Sequence, residues 1–79
     1  MRKRPDAAVN YFDRAIAINP NHAPAHNAAG LALAQMGQIP QALKYFEKAV
    51  ALKPDFADAL RNRDRARAVL TPSPAPPTP

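Results

Sequence analysis

A repeat with a period of 34 residues constrains this chain more than any other feature of its sequence. When the sequence is shifted by one period, small, aromatic and proline residues fall on identical residues. The identical pairs are Ala8 and Ala42, Tyr11 and Tyr45, Phe12 and Phe46, Ala15 and Ala49, Ala17 and Ala51, and Pro20 and Pro54. A repeat of this length predicts a unit of two helices that stacks on its neighbours through a shared core.

The complete unit, residues 27–54, reads as two amphipathic helices that fold back on each other at residues 36–40. Gly30 lies in the middle of the first helix, where glycine costs about 1 kcal/mol relative to alanine and therefore needs a packing reason. On the second helix, Ala42 and Ala49 supply small side chains and Phe46 supplies bulk. A single hairpin leaves part of its apolar surface uncovered, so this unit needs neighbours.

These residues carry a resemblance to a known family. Their spacing is similar to the pattern of tetratricopeptide repeat (TPR) proteins, and the residues are Gly30, Ala42, Phe46, Ala49 and Pro54 in the complete unit and Ala8, Phe12, Ala15 and Pro20 in the one before it. The resemblance covers about residues 6–70 and implies an all-α solenoid of antiparallel helix pairs, with four helices in about two units. The first helix of the complete unit departs from the usual pattern and should bury less apolar area. The departures are His26, Ala29 and Leu33.

The repeat places four helices at about residues 6–18, 23–36, 39–52 and 56–70, in one domain from residue 6 to residue 70. Asn21 and Asp55 are the candidate N-caps of the second and fourth helices, and Gly37 is the candidate left-handed residue after the second. A basic arm, residues 1–5, precedes the domain. The proline-rich tail, residues 71–79, cannot be helical, and we expect it to be disordered and extended.

The two ends of the repeat domain differ. Helix one corresponds to the second helix of a unit whose first helix is absent, and it keeps an apolar face. We therefore expect self-association through that face, or a chain that is a fragment of a longer array. Helix four has charges where a following helix would pack, as in a terminal repeat. These charges are Arg63, Asp64 and Arg67.

In the TPR family, the first helices of successive units line a concave surface that holds a peptide or a partner helix. The resemblance implies the same surface here, where asparagine can bond a peptide backbone and arginine can bind a carboxylate bidentately. The implied binding residues are Asn27, Leu31, Gln35, Arg61 and Arg65. The lysine- and asparagine-rich carboxylate clamp of some relatives is not reproduced at Ala28 and Asp58, so we do not expect that partner.

The residues contain no catalytic set. The chain has no cysteine, its one serine lies in the tail, and it has no glycine-rich phosphate loop. His22 and His26 have the spacing of two metal ligands on a helix, but no carboxylate completes a site. We therefore expect an interaction protein without enzymatic activity, cofactor or metal. The alternative is a regulatory segment of a larger enzyme, such as the glycosyltransferase-type proteins in which some relatives occur, with the tail as a linker.

The net charge of +5 comes from the two ends of the chain. The basic arm and four arginines of helix four could contact phosphates, but no aromatic residues accompany them for base stacking. The four are Arg61, Arg63, Arg65 and Arg67. Nucleic-acid binding is therefore the lesser alternative.

No apolar run approaches the ~20 residues needed to cross a bilayer, and no apolar segment follows the basic arm as in a signal peptide. A soluble, cytoplasmic protein is the default expectation. The tail has PxxP spacing and the dipeptides Thr71-Pro72 and Ser73-Pro74, a composition that is more typical of linkers than of ligands.

Overall fold

The computed structural model describes residues 5–70 of the chain, and its side chains over residues 9–70. Four helices make up this part: α1 (Pro5–Ile18), α2 (Ala23–Gln35), α3 (Ile39–Leu52) and α4 (Ala57–Leu70). No strand occurs between residues 5 and 70, so the all-α fold class is confirmed. Residues 1–4 of the expected basic arm, and the whole proline-rich tail with its PxxP spacing, lie outside the described residues.

Helix α2 begins one residue later than the candidate cap implied. Its N-cap is His22, whose ring Nδ1 accepts a hydrogen bond from the Ala25 amide at 3.2 Å, so the assignment of the cap to Asn21 is wrong. Pro24 lies in the first turn of α2, where backbone amides have no partner within the helix, so its missing N–H costs no hydrogen bond. This favours a helix start at Ala23. The expected N-cap of α4 is also displaced by one residue. Helix α4 begins at Ala57, so the residue directly before it is Phe56 and not Asp55.

The end of helix α2 has the left-handed glycine that the sequence predicted at Gly37. Gly37 has a φ of 79°, in the left-handed region that side chains disfavour. Its amide donates to the carbonyl of Ala34 at 3.0 Å, and the amide of Gln38 donates to the carbonyl of Leu33 at 2.9 Å. This pair of bonds is a Schellman motif, which satisfies two carbonyls at the helix end and turns the chain towards α3.

Each helix packs against the next one in the chain, and α2 also packs against α4. The core has two clusters of buried side chains, rich in alanine, which lets the helix backbones approach closely. One cluster consists of Leu33, Ala42, Phe46 and Ala66, and the other of Ala23, Ala49 and Ala59. Antiparallel neighbours with α2 beside α4 are the arrangement of a repeat solenoid, as the 34-residue period predicted.

Gly30 has the packing reason that its position required. A Cβ atom built on Gly30 would lie 2.5 Å from Cε1 of Phe46, a distance that real Cβ atoms do not tolerate. Phe46 is only 2% exposed, so its ring has little room to move away. The glycine therefore lets α2 cross α3 directly over the largest side chain of the core.

The outer helices present different surfaces. On α1, Tyr11 is 70% exposed and Ile18 is 86% exposed. On α4, Arg63 pairs with Asp64 at 3.0 Å, and Arg67 approaches Glu47 of α3 at 3.5 Å. One end of the stack is thus partly apolar and the other is charged. None of the helices of the described part combines the length and the apolar character that a bilayer crossing requires.

Candidate partner-binding groove

A shallow groove runs between α2 and α4, the first helices of successive units. Buried Phe46 and Ala66 form its floor, and exposed Leu31 and Val69 stand at its rims. Its volume is about 120 Å³, which leaves room for a single aliphatic side chain. The full lining is Leu31, Ala34, Ile39, Phe46, Asn62, Arg65, Ala66 and Val69.

Arg65 gives the groove its charge. Its neighbours in the arginine series of α4 each pair with a carboxylate: Arg61 with Asp58, Arg63 with Asp64, and Arg67 with Glu47. Arg65 has no ion pair within residues 9–70, and it is exposed at the edge of the apolar lining. A single cation beside an apolar floor suits a ligand that carries one apolar and one anionic group.

The same ion pairs bear on the nucleic-acid alternative. Three of the four arginines lie beside a carboxylate, which compensates much of the positive charge along α4. A phosphate-binding surface depends on uncompensated cations, so this arrangement favours a solvated helix surface.

Asn27 is buried in the structure, whereas a residue that binds a ligand at the surface would be exposed. Asn27 is only 8% exposed, and its side-chain Oδ1 accepts a hydrogen bond from Nδ2 of Asn62 at 2.9 Å. This bond joins α2 to α4, and of its two residues only Asn62 lines the groove. The amide that borders the groove is therefore Asn62, and Asn27 holds it in place through the hydrogen bond.

The other sequence-implied residues divide into two groups. Leu31 and Arg65 come together in the groove lining, as the repeat register implied. Gln35 and Arg61 are exposed but do not line this groove, and Arg61 is engaged with Asp58 at 2.5 Å. The structure thus brings two of the five residues to one cavity.

Sequence reasoning missed the residues that build the floor and one end of the groove. Three of these residues belong to the hydrophobic core or pack against it: Ile39, Phe46 and Ala66. The period alone does not indicate that core residues also line a surface cavity. Asn62 carried a usable signal, since it is the one uncharged polar residue among the charged residues of α4.

Both histidines have structural partners. The His22 ring caps α2, and Nε2 of His26 lies 2.9 Å from the carbonyl oxygen of Pro20, which it meets as an N–H donor. His26 is 6% exposed, and its buried Nδ1 has no hydrogen-bond partner in the described part of the chain. The described residues contain no group of three or more potential metal ligands.

Comparison with known proteins agrees with the repeat pattern. A family model described as "Tetratricopeptide repeat" matches residues 1–71, which include all four helices and the groove. Repeats of this family are typically non-catalytic scaffolds for protein–protein interaction. Among curated proteins, none matches the chain significantly. The period, the helix pairs and the family model together establish that this chain belongs to the tetratricopeptide repeat family.

Proposed function

We propose that this chain is a protein-interaction module that binds an extended peptide or a partner helix in the groove between α2 and α4. The observation that carries the proposal is the juxtaposition of Arg65 with an apolar cavity over Phe46 and Ala66. The ligand of best fit has one aliphatic side chain, which enters the cavity, and a carboxylate close by, which Arg65 binds.

Both parts of the ligand contribute to the free energy of binding. An exposed arginine paired with a carboxylate contributes little on its own, because solvent screens the charges. An aliphatic side chain that enters the cavity stabilises the complex by about 25 cal/mol per Å² of apolar area removed from water. It also excludes water from the neighbourhood of the ion pair. Because both contributions are small, we expect modest affinity for a single peptide.

A random peptide library displayed on phage tests this proposal. Selection on the wild-type chain should enrich peptides with an aliphatic residue close to an acidic one. Fluorescence anisotropy of an enriched peptide should show affinity about tenfold weaker for Arg65→Glu and for Val69→Asp, or about 1.4 kcal/mol. Arg61→Glu is the matched control, because it changes the same charge on the same helix outside the groove.

The proposal is wrong if selection enriches no peptide of this kind. It is equally wrong if Arg61→Glu weakens binding as much as Arg65→Glu does. Circular dichroism of each variant checks that helix content is unchanged, so that a loss of binding reports the groove.

A second function is self-association through α1. Tyr11 of α1 is 70% exposed, whereas its repeat equivalent, Tyr45 of α3, is half-buried against neighbouring helices. This difference favours a contact that covers Tyr11. Sedimentation velocity across a concentration series tests it. A concentration-dependent rise in sedimentation coefficient is expected, and a monomer at every concentration would exclude it.

A further inference from the structure

The apolar lining of the groove continues to the end of α4. Val69 is 66% exposed and Leu70 is 40% exposed, and Leu31 of α2 stands at the other rim. The C-terminal ends of α2 and α4 lie at the same end of the stack, because both helices are antiparallel to α3. Exposed Met36, which follows α2, therefore lies at this end too. Exposed apolar side chains that cluster in this way are typical of a binding surface.

Two segments of the chain lie outside the described residues, and only one of them suits this surface. Residues 1–4 carry three basic side chains, which Arg65 at the groove repels. Residues 71–79, the proline-rich tail, contain five prolines and no charged side chain. Proline-rich segments favour the polyproline II conformation, which docks in apolar grooves at a low cost in entropy. Charge and composition therefore favour the tail as the occupant.

The tail is also long enough to reach the cavity. Ala66, on the cavity floor, lies about 6 Å back from Leu70 along the axis of α4. The stretch Pro74–Pro77 begins four residues after Leu70, and four residues of polyproline II span about 12 Å. The chain can therefore reverse direction after α4 and return over Val69. A single proline ring suits the cavity, which has room for one aliphatic side chain.

We propose that the Pro74–Pro77 stretch of the tail docks in the groove between α2 and α4 and competes there with the external ligand. This inference rests on the function proposed above and adds a regulation of the same groove. The tail has no anionic side chain for Arg65, so it uses only the apolar part of the groove. A ligand with an aliphatic and an acidic group uses both parts, and it therefore displaces the tail.

The competition is effective because the tail belongs to the same chain. A short connection holds the tail near the groove at an effective concentration in the millimolar range. A contact that is weak between separate molecules then occupies the groove for about half of the time. An external ligand binds only the free groove, so the tail lowers its apparent affinity about twofold.

Methyl NMR spectroscopy of the full chain with a soluble gadolinium chelate tests the docking. The chelate broadens the signals of exposed methyl groups, so a docked tail should protect Leu31. In the tail variant, Pro76→Ser/Pro77→Ser, the broadening of Leu31 should rise about twofold. The broadening of Ile18, which is exposed on α1, should stay the same. Leu31 lies on α2, so its signal reports docking and not closeness to the tail along the chain.

The matched control is Pro72→Ser/Pro79→Ser, which replaces the same number of prolines outside the docked stretch and should leave Leu31 protected. Val69→Asp changes the groove instead of the tail, and it should expose Leu31 as much as the tail variant does. Circular dichroism should show wild-type helix content for all three variants. Unchanged broadening of Leu31 in the tail variant overturns the docking, and so does an equal rise in the control.

Failure of the docking and failure of the proposed function are distinguishable. A peptide selected on the wild type should bind the tail variant about twofold more tightly. If peptides are enriched but Leu31 is equally accessible in the wild type and the tail variant, the docking is wrong and the proposed function stands. If no peptide is enriched but the tail protects Leu31, the docking stands and the proposed function is wrong.

Discussion

The hydroxyl of Tyr45 donates a hydrogen bond to the carboxylate of Asp13 at 2.7 Å, and so joins α3 to α1. The two residues belong to second helices of successive units and are 32 positions apart. The Tyr45 ring also lies beside His26 of α2, with centroids 6.2 Å apart. One side chain thus connects three helices of the stack on the side of the α2–α3 pair that faces α1.

This environment predicts a stability change in alkaline solution. Burial, together with the hydrogen bond and the charge of Asp13, raises the pKa of Tyr45 from 10.0 to about 12. The unfolded chain therefore releases this proton first. The stability contributed by neutral Tyr45 should be complete below pH 10 and should be lost as the pH rises to about 12.

Urea denaturation at several alkaline pH values measures this effect. The free energy of unfolding of the wild type should fall more steeply between pH 10 and 12 than that of Tyr45→Phe, which cannot ionise there. The two proteins differ only in the Tyr45 hydroxyl, so effects of pH on other groups cancel in the comparison. Parallel curves for the two proteins would contradict the proposed role of the Tyr45 proton.

Gly30→Ala should destabilise the protein although alanine is the better helix former. Alanine would gain about 1 kcal/mol of helix propensity, but the new methyl group would collide with the Phe46 ring, which has little room to move. Overpacking of this kind typically costs about 1–3 kcal/mol, so we expect a net loss of up to about 2 kcal/mol. Thermal denaturation by circular dichroism measures it.

Two further variants control for that result. Gln35→Ala, at an exposed position of the same helix, should leave stability nearly unchanged or slightly raised. Combined with Phe46→Leu, Gly30→Ala should cost less than it does alone, because a smaller side chain relieves the contact. Additive losses in the double variant would show that the Phe46 contact is not the cause.

The fold could be predicted from the sequence because the period carries long-range information. Phe12 and Phe46 identify equivalent helices, and Gly30 identifies the crossing point of α2 with α3, as the structure confirms. The groove could be predicted only in part. The period pairs Asn27 with Arg61, whereas the bond between α2 and α4 joins Asn27 to Asn62, because it depends on the angle between units. The repeat period does not determine that angle.

The N-cap of α2 shows a second limit of sequence reasoning. Asparagine is among the preferred caps and histidine is not, so propensity favoured Asn21 over His22. The position of Pro24 set the helix start, and the ring nitrogen of His22 was within reach of the Ala25 amide. Geometry at one turn therefore overrode the statistical preference.

The cap leads to a direct comparison of neighbouring residues. His22→Ala should lower the free energy of unfolding by about 1 kcal/mol, because the Ala25 amide loses its side-chain acceptor. Asn21→Ala should cost clearly less, since its side chain makes no capping bond to α2. Urea denaturation of both variants measures the difference, and a larger loss for Asn21→Ala would return the capping role to that residue.

The bond between Asn27 and Asn62 predicts that both residues support the groove structurally. Asn27→Ala should destabilise the protein by about 1 kcal/mol, because it leaves the half-buried amide of Asn62 without its acceptor. Asn62→Ala should have a similar effect. The double variant should cost less than the sum of the two, by a coupling energy of about 1 kcal/mol, measured in a cycle of urea denaturation curves.

The same cycle separates a structural from a binding role for Asn27. If Asn27 acts mainly by holding Asn62, a peptide selected on the wild type should bind Asn27→Ala and Asn62→Ala with similarly reduced affinity. The two losses should again be less than additive in the double variant. Full stability of Asn27→Ala with weakened peptide binding would instead mean that its side chain leaves Asn62 and reaches the ligand itself. Arg61→Ala is the matched control, since Arg61 lies one position before Asn62 on α4 but outside the groove lining, and it should change neither stability nor affinity appreciably.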